Sequence, residues 1–293
     1  MLRKEYLMNT VMSLTSRVSS ALKETTLYAR LKSSYVQDIY WKVSSPQIIE
    51  ARNVQVQFYR GLLQGFRRGA LIFDIGANIG QKTDVFLRLG ARVVTVEPDE
   101  RNQKVLRGKF IKYRLFRKPV CIVGKAVSDE IAVRPMWIDA PGSALNTLST
   151  KWVDALRKDK ARFSHTPDPL EFRGEKTVET TTLEQLISLY GLPFFIKIDV
   201  EGYELTVLRG LRHPVPYLSF EVNLPEFRDE GVECLAILQN LDPSGQTNYV
   251  VDCGRGLVLE HWAKAQELAA VIRKCAESCI EVLWRSSSQS QPI

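Results

Sequence analysis

The segment Phe73-Asp74-Ile75-Gly76-Ala77-Asn78-Ile79-Gly80-Gln81-Lys82 constrains the fold more than any other stretch of this chain. Apolar Ala70-Leu71-Ile72 precedes it, and Thr83-Asp84-Val85-Phe86-Leu87-Arg88-Leu89 follows with helical spacing. Arg92-Val93-Val94-Thr95-Val96 then reads as a strand that delivers Glu97, 17 residues after Gly80. A buried strand, a glycine turn, a helix and a second strand ending in an acid make a nucleotide-binding half-unit. The glycines allow close backbone approach to a ligand, and the acid can accept hydrogen bonds from two ribose hydroxyls. Nicotinamide cofactors and S-adenosylmethionine both use this arrangement.

The rest of the pattern extends the half-unit into an α/β fold. From Ala70, strands alternate with helices, which predicts a Rossmann-like, doubly wound, mainly parallel sheet covered on both faces. Strands are expected at 70–74, 92–97, 119–127, 131–138, 193–199, 217–223 and 249–252. Helices are expected at 182–190 (Thr182 as cap), 203–211 and 231–241, with a last one from about Ala263 to Leu283. The stretch 139–176 is irregular apart from a helical patch near 152–157, and such a stretch inside a compact domain is more often functional than idle. Residues 1–69 form a helical N-terminal extension. In it Leu7, Val11, Leu14, Val18, Ala21 and Leu22 recur every three or four residues, which suits core packing or a homodimer better than a membrane surface. The division is thus 1–69, a Rossmann-like α/β core at 70–260, and 261–293 with a final helix and a frayed tail.

Totals exclude several classes. Of the 293 residues 45% are hydrophobic and 25% charged, an ordinary globular balance. The net charge of +7 is spread over clusters that read as solvated faces, and no aromatic residues interleave with them as in RNA-binding surfaces, which argues against a nucleic-acid partner. Cys121, Cys234, Cys253, Cys275 and Cys279 form no metal-type spacing, and their odd number reads as reduced thiols in a cytoplasmic protein. Cys275 and Cys279 are expected one helical turn apart. No apolar run is long enough for a signal peptide or a transmembrane segment.

In open α/β sheets ligands sit beyond the carboxyl ends of the strands. Those ends carry Asp74 with its glycines, Glu97, the Gly124-Lys125-Ala126 region, Asp199 with Glu201, and Glu221 with Asn223. Acids gathered in one crevice repel and must be desolvated, so their convergence points to a ligand site. The dinucleotide pattern G-x-G-x-x-G is absent, and Asp74 stands where phosphates would approach. A carboxylate there suits a cation without phosphate, and S-adenosylmethionine, with ammonium, sulfonium and ribose diol, fits that description. An NAD(P)-dependent oxidoreductase is disfavoured on the same grounds, and a non-catalytic interaction module has no need of these acids.

Five segments resemble the FkbM family of methyltransferases: Asp74 to Thr83, Val96-Glu97-Pro98, Ala126 to Asp129, Phe195 to Glu204, and Leu218 to Asn223. The resemblance covers roughly residues 70–225, and Lys197-x-Asp199-x-Glu201-Gly202 is its most specific part. It implies a donor site for S-adenosylmethionine lined by Asp74, Gly76, Asn78, Gly80, Thr83, Glu97 and Ala126. It further implies methyl transfer to a hydroxyl of a glycan or other polyhydroxylated small molecule. Asp199 or Glu201 is the candidate base, with Lys197 beside them; the plainer reading pairs Lys197 within the sheet. Asp199, Glu221 and Asn223 offer the oxygen ligands that Mg²⁺ accepts. The alternative is that Glu201 and Glu221 pair with Lys197 or Arg209 and merely hold the loop.

Overall fold

The computed structural model describes residues 46–111, 113, 119–158, 172 and 174–287. The amphipathic segment from Leu7 to Leu22, His165 and the end of the tail lie outside the described residues.

The chain runs α1 (Pro46–Leu62), β1 (Leu71–Ile75), α2 (Gln81–Leu89), β2 (Arg92–Val96), α3 (Glu100–Lys109), β3 (Val120–Val123), β4 (Ala126–Val127) and β5 (Val133–Ile138). It continues through α4 (Thr150–Lys158), β6 (Gly174–Thr181), α5 (Leu183–Tyr190), β7 (Phe195–Ile198), α6 (Glu204–Arg209) and β8 (Tyr217–Asn223). The last elements are α7 (Arg228–Leu241), β9 (Gln246–Val250), α8 (Ala265–Lys274) and β10 (Cys279–Arg285). The main sheet has the order β3-β2-β1-β7-β8-β10-β9. Strands β3 to β8 in that order pair in parallel, and β10 runs antiparallel to both its neighbours. A doubly wound, mainly parallel sheet is therefore present as expected.

Local chemistry explains the first half-unit. Every residue of β1 is buried, as befits a strand covered on both faces. Gly80 and Gly90 bracket α2 in left-handed conformations, and Gly90 N–H closes the helix on Leu87 and Phe86 carbonyls. Phe73, Ile75, Val94, Ile196, Ile198 and Phe220 build the core on one side of the sheet. Ile72, Val93, Phe195 and Tyr217 build the other, under α1 and α2. Tyr59 of α1 is fully buried there, edge-on to Phe86 at 5.1 Å.

Three expectations are corrected. The strand expected at 119–127 breaks at Gly124-Lys125: β3 pairs with β2, whereas β4 pairs with β6 in a separate three-stranded sheet, β4-β6-β5. That small sheet takes in only the last three residues of the stretch expected to be irregular, 139–176, because β6 begins at Gly174; residues 159–171 and 173 lie outside the described residues. The largest departure lies at the C-terminus. The expected helix over 263–283 stops at Lys274, and Cys279–Arg285 is instead a strand between β8 and β9. Cys275 caps the helix while Cys279 opens the strand, so they are not one turn apart.

Trp284 sits one residue before the end of this strand, 2% exposed, and the Gly245 backbone packs directly on its indole. Truncation of a core tryptophan costs about 3–5 kcal/mol. Trp284→Ala is therefore expected to lower the unfolding free energy by roughly that amount in denaturant titrations; a surface helix at this position would lose little.

Candidate functional site

The β1–α2 turn is shaped by two glycines, and for both the neighbour is protein. Gly76 has φ +77°, and a Cβ on it would lie 1.7 Å from the Asp199 carbonyl oxygen. Its N–H, with that of Ala77, donates to Val96 O, so the turn is stitched to β2 while touching the end of β7. Gly80 has φ +74° and would drive a Cβ into Leu106 and Phe110 of α3. Gly76 also lines the main cleft; Gly80 does not.

That cleft holds about 760 Å³ of empty space, partly open to solvent, over the ends of β1, β2 and β7. Of the expected cofactor residues, Gly76, Asn78, Glu97 and Ala126 line it. Asp74 and Thr83 do not: both are buried beneath the turn, Thr83 Oγ1 donating to Asp74 Oδ2 at 2.5 Å and lying 3.2 Å from Thr95 Oγ1. Asp74 projects onto the α1/α2 side of the sheet, so its strand-end position does not bring it to the cleft. Burial raises its pKa, opposed by the Lys197 ammonium and the Thr83 hydroxyl.

Glu97 is held by two backbone donors. Asn78 N–H reaches Oε2 and Asp99 N–H reaches Oε1, each at 2.8 Å. Burial outweighs these bonds and pushes its pKa up to about 7. Asn78 adopts φ +49° to make its contact. Asp99, which carried no role in the sequence reading, caps α3 through Oδ1 and receives Gly142 N–H and Asn146 Nδ2 on Oδ2. It thereby ties the 139–147 segment over the cleft. An Asp directly before Glu100 at a helix start is a legible cap signal.

The β7–α6 segment carries the remaining candidates. Lys197 is buried and its Nζ contacts Asp199 Oδ2 at 2.6 Å. Burial alone would lower its pKa, but the carboxylates of Asp199, Glu281 and Asp74 outweigh that, so it stays a cation. Arg209 pairs with Glu233. The pairing of Glu201 or Glu221 with Lys197 or Arg209 is thus not what forms. Instead Glu201, at φ +56°, accepts a hydrogen bond from Trp152 Nε1 at 3.1 Å, and its carbonyl accepts one from Thr147 Oγ1 at 2.8 Å. Trp152 lies in the helical patch expected near 152–157, now α4. Glu221 accepts from Cys279 Sγ at 3.1 Å and Asn223 Nδ2 at 3.4 Å. One oxygen from each of Asp199, Glu201 and Glu221 falls within 4.8 Å of the others. Burial, reinforced by neighbouring carboxylates, raises Glu201 well above the usual range and Glu221 to about 7. His213 contacts Glu184 at 2.8 Å, while His261 lies on an exposed loop.

Glu204 was quoted within the motif without a role. Its Oε1 accepts Val200 N–H at 3.0 Å and Gly202 N–H at 3.4 Å, which holds the loop that presents Asp199 and Glu201. Burial lifts it to about 8. The folded state therefore binds a proton at Glu204 that the unfolded chain has lost above its ordinary carboxylate pKa, so stability falls as pH rises through that interval. Glu204→Gln keeps the acceptor and removes the titration. The variant is expected to gain stability relative to the parent between pH 5 and pH 8, read from paired denaturant midpoints; an unchanged difference across that range would refute the buried-acid assignment.

No curated protein matches the sequence. Among solved structures, a precorrin-6y C5,15-methyltransferase from Geobacter metallireducens is 10% identical with a TM-score of 0.37, covering 80% of this chain and 87% of its own. A TehB-like SAM-dependent methyltransferase from Corynebacterium glutamicum is 10% identical with a TM-score of 0.38, covering 80% and 88%. The plantazolicin methyltransferase BpumL, solved in complex with SAH, is 10% identical with a TM-score of 0.36, covering 92% and 99%. These likenesses carry no argument about this chain. The model of the methyltransferase FkbM domain, in contrast, matches residues 74–250, more than half of the chain. The chain belongs to the FkbM family of methyltransferases, with S-adenosylmethionine as the methyl donor.

Proposed function

We propose that the protein transfers the methyl group of S-adenosylmethionine to a hydroxyl oxygen of a glycan or other polyhydroxylated small molecule. The observation that carries this reading is the convergence of Asp199, Glu201 and Glu221 beside a cleft floored by Gly76, Asn78 and Glu97. Glu97 takes the ribose hydroxyls, since its oxygens keep lone pairs beyond the two backbone bonds. Gly76, Asn78 and Ala126 border the rest of the donor.

The sulfonium is already activated, so the protein's task is alignment and proton removal. An oxygen lone pair of the acceptor forms the new C–O bond as the C–S bond breaks. The electron pair of that bond stays on sulfur, and the hydroxyl proton passes to a carboxylate. Asp199 is the proposed base, with Glu221 beside it. Lys197 is a positioning residue: clamped on Asp199 and permanently charged, it has no lone pair to offer.

If this is right, Asp199→Asn loses turnover by about 10²–10⁴-fold while SAH still binds by calorimetry, whereas Glu97→Ala weakens SAH binding itself. Glu221, pushed to about 7, must be ionised to share the proton, so kcat/KM is expected to rise from pH 6 to pH 8 and level off. Glu221→Gln should flatten that limb. A limb that persists in the variant would assign it to another group.

A second reading places Mg²⁺ among these acids, favoured by the 4.8 Å grouping of Asp199, Glu201 and Glu221 oxygens. Those three are hard oxygen donors of the type Mg²⁺ accepts. Asn223, expected as a ligand, directs its amide nitrogen at Glu221 and serves there as an orienting donor. A bound divalent ion would lower the acceptor hydroxyl's pKa. Turnover is then expected to vanish on EDTA treatment and return with added Mg²⁺; activity unchanged by EDTA removes the metal.

A further inference from the structure

A second cavity, with about 1200 Å³ of empty space open to solvent, lies on the α1/α2 side of the sheet. Asp199 lines both this cavity and the donor cleft, so the two volumes meet at that carboxylate. Its walls come from α1, the loop after β9 and the start of β10. The charged lining is one-sided. Among the described residues, Glu50, Asp199, Glu221, Asp252 and Glu281 face it against Lys82 and Lys197, with no arginine. Lys197 is already paired with Asp199, and Lys82 Nζ lies 3.9 Å from Cys253 Sγ and 5.4 Å from the Tyr59 ring centroid.

The sheet register adds an independent observation. Glu221 of β8 stands directly opposite Glu281 of β10. Like charges in facing positions of an antiparallel pair destabilise it. Tyr59 Oη, fully buried, is spent on Glu281 at 3.2 Å, and Cys279 Sγ on Glu221 at 3.1 Å. Neither neighbour brings a positive charge. Lys197 acts on both carboxylates through its charge but spends its close contact on Asp199, whereas a ligand rich in hydroxyl donors would hydrogen-bond to both. A phosphate, carboxylate or nucleotide-linked group would meet an excess of negative charge, with no guanidinium among the described lining residues to receive it.

We propose that this second cavity is the acceptor pocket and that it admits a hydroxylated molecule bearing no anionic group. The inference rests on the hydroxyl-transfer reading above. The acceptor enters past α1, and its reacting hydroxyl meets the donor at Asp199.

Cys253, which lines the cavity, allows a test that needs no knowledge of the acceptor. The full chain is treated with a trimethylammonium-ethyl and a sulfonatoethyl methanethiosulfonate, and labelling at Cys253 is followed by peptide mass spectrometry. Rates are normalised to those of free cysteine, which removes the reagents' intrinsic difference, and the thiol's own pKa cancels in the ratio of the two reagents. The cationic reagent is expected to gain about tenfold or more over the anionic one. Glu50→Gln, a change on an exposed face of α1, should shrink that preference by about threefold. Equal rates, a preference for the anion, or no labelling by either reagent overturns the proposal. SAH affinity measured on the labelled protein should be unchanged; its loss would assign the cavity to the donor and likewise overturn the proposal. In a companion assay, methyl-labelled donor is incubated with a deproteinised cell extract and the product is passed over an anion exchanger. A product that flows through supports the pocket, and one that is retained overturns it. Where the methyl sits in the product, on oxygen or on another atom, tests the hydroxyl-transfer reading separately.

Discussion

A positive charge inside the sheet organises this protein. The register places Thr95, Asp74, Lys197 and Ser219 in one row across β2, β1, β7 and β8. Only Lys197 among them is a cation, and it is buried. Taking an ammonium out of water costs several kcal/mol unless it is paired and hydrogen-bonded. Asp199 answers directly at 2.6 Å, and Asp74 adds its charge from the neighbouring strand. The pairing fixes where the Asp199 side chain points. The Asp199 carbonyl in turn is the surface on which Gly76 rests, which no larger residue could do. A single buried ammonium thus sets the register between the glycine turn and the acids at the end of β7.

How much of this could be read from the residues depends on what kind of signal each feature leaves. Strands buried on both faces appear as apolar runs, so Leu71–Ile75, Arg92–Val96 and Phe195–Ile198 were legible, and with them the acids that end each strand. The strand Cys279–Arg285 was not. No glycine or proline separates it from the helix ending at Lys274, and its apolar residues continue the helical run without a visible break. Missing it hid Glu281, and with Glu281 the second cavity.

Position at a strand end says which end of the sheet a side chain occupies but not which face. Asp74 and Thr83 were therefore expected at the ligand and are found beneath the turn, bonded to each other. Glu204 left no signal of another kind, because its partners are backbone N–H groups of its own loop. Only coordinates reveal such contacts. Trp152 and Glu201 are 49 residues apart, joined by a bond that no spacing rule anticipates.

The crowding of acids at the end of the sheet remains a cost that the fold alone does not repay. Glu97, Glu201, Glu204 and Glu221 are all pushed upward by burial, and Glu201 is held besides in a left-handed conformation that residues with a side chain rarely adopt. Trp152 and Thr147 maintain that conformation from outside the loop. Strain and like-charge repulsion of this kind persist where a ligand relieves them. A sulfonium donor brings positive charge to this end of the sheet, and the hydroxylated acceptor proposed above would bring hydrogen-bond donors to carboxylates that now face one another. Each ligand answers part of the same electrostatic debt, and the two cavities share Asp199. Donor and acceptor occupancy would therefore be coupled through the ionisation of these acids, with no movement of the backbone required.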